Sequence, residues 1–175
     1  MRERIIESPA EPDVHFTDDP TSAIRALRFK ARYNFKFSDR VEKAMRENSL
    51  KYMKLLTPYS VTFHFSSMFG KDYCLASYKV LNDYGVFDYF FPALKDICGT
   101  EEYKKYAENA MKFIDAQKTQ NKNLWLALIL WPAVKNSDID TVLKEQGKIY
   151  EFGDGQVETL KEIFTFESIA SASNF

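Results

Sequence analysis

Phe16-Thr17-Asp18-Asp19-Pro20-Thr21-Ser22-Ala23-Ile24-Arg25-Ala26-Leu27-Arg28-Phe29-Lys30-Ala31-Arg32 brings together a helix start, an apolar stripe and a row of arginines. Asp19 can cap the first turn, and Pro20 sits where a missing backbone N–H costs nothing. Ala23, Ile24, Leu27 and Ala31 recur at the spacing of one buried helical face. At about 100° per residue, Arg25, Arg28 and Arg32 fall together on another face, because positions three and four apart are neighbours on a helix. A row of guanidiniums of this kind suits phosphate.

Working outward, the 175 residues suffice for one ordinary domain or two small helical ones, and a hydrophobic content of 45% supplies a sizeable core. Six glycines and six prolines, with long periodic runs between them, favour an all-α fold over a turn-rich β architecture. Fifteen Phe and ten Tyr are a heavy aromatic load, expected chiefly between packed helices, with base stacking reserved for exposed rings near the basic face.

The net charge of −1 excludes a uniformly basic nucleic-acid binder, yet the charges are uneven. Between residues 24 and 54 ten basic side chains (Arg25, Arg28, Lys30, Arg32, Lys36, Arg40, Lys43, Arg46, Lys51, Lys54) face three acidic ones, a local balance of +7. Such a patch binds RNA phosphates with strong salt dependence, or else forms a solvated face laced with i,i+4 pairs such as Asp39 with Lys43 and Glu42 with Arg46. Cys74 and Cys98 stand apart, and Met1-Arg2-Glu3-Arg4 leads into no apolar leader, so a reduced, cytoplasmic protein is expected. The most apolar run, Leu124 to Val134, is too short to span a bilayer and carries Pro132, which predicts a buried helix and no membrane partner.

Start and stop signals predict helices at about 20–33, 39–46, 50–56, 59–69 closed by Gly70, 73–84 capped by Gly85, 87–94, 101–116 behind Thr100, 124–134, 138–146 and 157–166. Glu3 to Ile6 is expected as a last helical turn, broken by Ser8-Pro9-Ala10-Glu11-Pro12. Gln117 to Lys122 is a polar loop, and residues 168–175 form a polar tail.

Asp18-Asp19-Pro20-Thr21-Ser22-Ala23-Ile24-Arg25-Ala26-Leu27-Arg28-Phe29 resembles the segment (E/D)-D-P-x-R-x-L-R-A-x-R-F, which joins head to helical neck in bacterial poly(A) polymerases and the related tRNA CCA-adding enzymes. The likeness continues in residues 75–92, ending in Phe90-Phe91-Pro92, and in the apolar Asn123 to Pro132. Together these resemble a bacterial poly(A) polymerase from the neck onward, over roughly residues 14 to 135. The resemblance implies an entry segment at 1–17, a neck at 18–95, a helical body at 96–167 and a tail at 168–175. It also implies RNA as partner and a docking surface for RNA-decay proteins. In the family, ATP and Mg2+ are held by a catalytic head. No Gly-Ser with Asp-x-Asp of that kind is found here, so neither catalytic nor metal residues are assigned.

The resemblance makes Asp18, Asp19 and Ser22 the nucleotide-facing positions. Asp19 keeps the family aspartate, while Ser22 stands where an arginine would face the base, and a hydroxyl cannot replace a guanidinium fork. Asp19 reads equally as a helix cap. On the helix at 59–69 the family carries charged residues where this chain has Ser60, Phe63, His64 and Ser67, so that helix is expected to be held by Val61, Phe63, Phe65, Met68 and Phe69. Arg25, Arg28 and Arg32 are the expected RNA-backbone contacts, extended by Lys36, Arg40 and Lys43. Asp138-Ile139-Asp140 is a decoy, since i and i+2 on a helix do not face each other. His15 and His64 have no partner at ligand spacing. Phe152-Gly153-Asp154-Gly155 lacks the Lys-Ser/Thr of a phosphate loop and reads as a turn.

Overall fold

The computed structural model describes residues 4–69, 72–117 and 123–165 as an all-α arrangement with one small parallel strand pair. The deciding helix, α2 (Pro20–Tyr33), begins and ends as the sequence dictates: Asp19 accepts from the Thr21 amide at 3.1 Å, and Asn34 stops the helix in the left-handed region. Its buried positions Ala23, Ile24, Ala26, Leu27 and Ala31 are mostly small, which lets four other helices approach it closely.

Upstream of α2 the expectations fail. Ile5–Ile6 is strand β1, not a helical turn, paired in parallel with β2 (Lys36–Phe37) in the register Ile5 with Lys36 and Ile6 with Phe37. The left-handed turn at Asn34 brings the chain back alongside β-branched isoleucines that suit extended backbone. A further helix, α1 (Pro12–Asp18), lies within what was expected as a plain entry segment, with Pro12 at its first position and Phe16 buried against Tyr52 at 5.4 Å.

Downstream, α3 runs unbroken over Asp39–Met53 behind the Ser38 cap, merging the helices expected at 39–46 and 50–56. Asn48-Ser49 looks like a break, but the buried Ser49 hydroxyl donates to the Tyr84 carbonyl at 2.7 Å, so it favours packing over termination. Then come α4 (Pro58–Phe69), α5 (Cys74–Asp83), and α6 (Phe87–Phe90) followed by a 3₁₀ turn at Pro92–Leu94 in place of one continuous helix. Gly85, at φ +65°, carries the chain out of α5 where a side chain would be strained. The body continues as α7 (Glu101–Gln117), α8 (Leu124–Asn136), α9 (Ile139–Gln146) and α10 (Gln156–Thr165). Gly70, most of the 117–122 loop and the 168–175 tail lie outside the described residues.

A single buried cluster runs from Phe16 to Phe164. Its centre is aromatic: Phe69 stacks on Trp125 at 5.0 Å, and Phe65 meets Phe90 edge-on at 4.7 Å. Two polar ties cross it. Asp115 of α7 accepts from the Cys74 and Leu75 amides at 2.7 and 3.1 Å, capping α5 from a distant helix, and buried Gln146 donates to the Phe90 carbonyl at 2.8 Å. Among the described residues no helix is long and apolar enough to cross a membrane.

Candidate functional site

Helix α2 positions the three arginines by its own phase. With the alanine face turned into the core, Arg25 and Arg32 are exposed and Arg28 is half-buried on the opposite side. Among the described residues none of the three guanidiniums forms an ion pair with a carboxylate. Two of them lie against rings instead: Arg28 is 5.3 Å from the Phe29 centroid, and Arg32 is 5.0 and 5.5 Å from those of Tyr33 and Tyr73.

The other cations of the basic segment divide. Lys30 turns toward Glu42 at 3.8 Å and lies over Phe37, while Arg46 pairs with Glu42 at 2.7 Å and donates to the Asp83 carbonyl. Lys51 meets Asp13 at 3.1 Å. Arg40 pairs with Glu7 at 3.0 Å and donates to the Ser8 carbonyl, so it braces the N-terminal segment. Lys36 and Lys43 are exposed. Of the two expected i,i+4 pairs, Glu42 with Arg46 forms and Asp39 with Lys43 does not.

Asp18 is exposed at the end of α1. The Asp19 carboxylate is taken up by its own helix, accepting from the Thr21 amide, the Thr21 hydroxyl and, at 2.5 Å, the Ser22 hydroxyl. These bonds, that of Ser22 foremost, hold its carboxyl below the usual range. The cap role is therefore filled, and Ser22 completes it. Ser22 and Arg25 also line a groove of about 160 Å³ with Glu7, Ser8 and Phe29.

Alongside the arginine row runs α4. His64 is 5% exposed, and its Nδ1 has no partner. Burial first, then Arg28 and Arg25, push its pKa down to about 4, so it is neutral at pH 7. Ser67 turns its hydroxyl to the Phe63 carbonyl, and Ser60 bonds Thr57, so these positions carry no charge network. Phe63, expected in the packing, is 56% exposed, and Tyr59 one turn earlier is 67% exposed. The stripe that packs is Val61, His64, Phe65, Met68 and Phe69. The helical phase holds the signal: residue 63 lies about 170° from the mean of residues 61, 65 and 68.

This geometry of helices has a precedent. The structure of the Thermotoga maritima CCA-adding enzyme complexed with tRNA_CCA is similar, with a TM-score of 0.69 and 18% identity, over 98% of this chain and 40% of that one. The likeness is one of fold. No family profile and no curated protein matches the sequence.

Two-metal nucleotidyl transfer needs clustered carboxylates, and among the described residues no three His, Cys, Asp or Glu side chains come together. Asp138 caps α9 by accepting from the Thr141 amide at 2.8 Å, and Asp140 pairs with Lys161 at 2.5 Å. The donor set of the described residues does not fit ATP-bound Mg2+.

Proposed function

We propose that this chain is an RNA-binding helical module, resembling the C-terminal part of a bacterial poly(A) polymerase, that does not polymerise by itself. The observation that carries the reading is the row of Arg25, Arg28 and Arg32, with Arg25 and Arg32 exposed and, among the described residues, no carboxylate paired with any of the three. Unpaired guanidiniums on a rigid helix take phosphates at little reorganisation cost. The similarly folded CCA-adding enzyme is a tRNA-bound structure, which favours RNA over other polyanions. Lys36, Arg40 and Lys43 extend the patch. Binding is largely independent of sequence, since phosphate carries no base information.

Fluorescence anisotropy with oligo(A) across a salt series tests this. Each of Arg25→Ala, Arg28→Ala and Arg32→Ala should weaken binding and lower the salt slope by about one. Absence of binding in low salt rejects the proposal. Incubation with ATP, Mg2+ and RNA should give no tailed product, because Ser22 offers no guanidinium to a base and the described residues hold no carboxylate cluster for the metals.

A further inference from the structure

Two large aromatic side chains of α4, the helix packed against α2, lie on water, and the core does not need them. Tyr59 and Phe63 are one turn apart on α4, 67% and 56% exposed, on the side of the helix away from its buried stripe. The Arg32 guanidinium lies 5.5 Å from the Tyr73 centroid, the Tyr73 hydroxyl donates to the Ser67 carbonyl, and Ser67, one turn beyond Phe63 on the same side of α4, turns its own hydroxyl to the Phe63 carbonyl. The side of α4 that carries the rings is thus joined to the arginine row through Tyr73, and at Phe63 the resemblance would have put a charged residue.

We propose that Phe63 and Tyr59 form a stacking platform for unpaired bases, making single-stranded RNA the ligand, with its phosphates on Arg25, Arg28 and Arg32. This rests on the RNA reading above. The charge beside the rings argues for it: an apolar partner would leave three guanidiniums uncompensated, whereas a nucleic-acid strand supplies anions and flat apolar faces together. The spacing argues for a single strand. Four residues of helix rise about 6 Å, while bases in a stacked strand are about 3.4 Å apart. Successive bases must therefore unstack to reach both rings, which a duplex resists.

The test compares three probes by anisotropy at one salt concentration: oligo(A), an oligonucleotide of equal length with abasic spacers, and duplex RNA. The wild-type chain should bind oligo(A) most tightly. Phe63→Ala, and separately Tyr59→Ala, should weaken oligo(A) binding about tenfold while leaving abasic binding unchanged. Phe63→Leu keeps an apolar side chain without the ring and should show the same loss, which guards against a fold defect in the alanine variant. Equal wild-type affinity for oligo(A) and the abasic strand, with inert ring variants, overturns the platform but leaves the phosphate contacts standing. No binding of any probe overturns both, and a protein occupant of this face would give that result.

Discussion

At the scale of single residues, His64 makes the sharpest statement. Its folded pKa of about 4 lies below the unfolded value of 6.5, so the unfolded chain binds the extra proton first. Its contribution to stability is present above pH 6.5 and is lost as pH falls toward 4. The full difference corresponds to about 3 kcal/mol. Urea unfolding at pH 7 and pH 5 should therefore show a loss on acidification that His64→Gln largely removes; an unchanged pH dependence in the variant would place the effect elsewhere. The carboxyls of Asp19 and Asp13, held below their ordinary range by hydrogen bonds, act later, losing their contribution only as pH falls below about 4. Replacing Asp19 by Ala should cost about 1 kcal/mol at neutral pH, read as a lower urea midpoint, because one substitution removes every bond of the cap. The cap was legible in the sequence, since Asp followed by Pro is a helix start. That Ser22 would join it was not, because a hydroxyl at that distance has several acceptors to choose from.

At the scale of elements, helix phase accounts for both what is buried and what is displayed. Periodicity at 3.6 residues places Pro20–Tyr33 correctly from sequence, with Ala23, Ile24, Leu27 and Ala31 buried as expected and Ala26 buried besides, because Asp19 and Pro20 are strong local signals. On α4 the number of aromatics obscures the same periodicity, so the sequence puts Phe63 inward and gives His64 no place in the core. Element α1 and the β1 and β2 pair were invisible for another reason: short segments have too few residues for periodicity, and their hydrogen bonds depend on where the chain returns. The α5 start is likewise decided at a distance, through Asp115. Asp115→Ala should expose two amides of α5 to loss of their acceptor and cost about 1 to 3 kcal/mol, while Asp115→Asn keeps one acceptor and costs less. Equal stability of both variants and the wild type in urea would show that water replaces the carboxylate without penalty.

At the scale of the molecule, α4 of the N-terminal half and α8 of the C-terminal half share one aromatic centre, since Phe65 and Phe69 both meet Trp125. The two halves should therefore unfold together. Thermal transitions followed by far-UV circular dichroism and by tryptophan fluorescence, which reports only on α8, should coincide. Phe65→Ala should lower stability by about 3 to 5 kcal/mol and shift both signals equally. Two separated transitions would instead mark the halves as independent units.

The sequence by itself determined that the chain is helical and where most helices start and stop, because capping side chains and apolar period act over a few residues. It also determined that one helix carries Arg25, Arg28 and Arg32 on a single face. Only the tertiary structure decided which cations brace the fold, and that two rings of α4 stay exposed to solvent. Those outcomes depend on contacts between residues about 30 or more apart, such as Arg40 with Glu7 and Lys51 with Asp13, which no local pattern encodes.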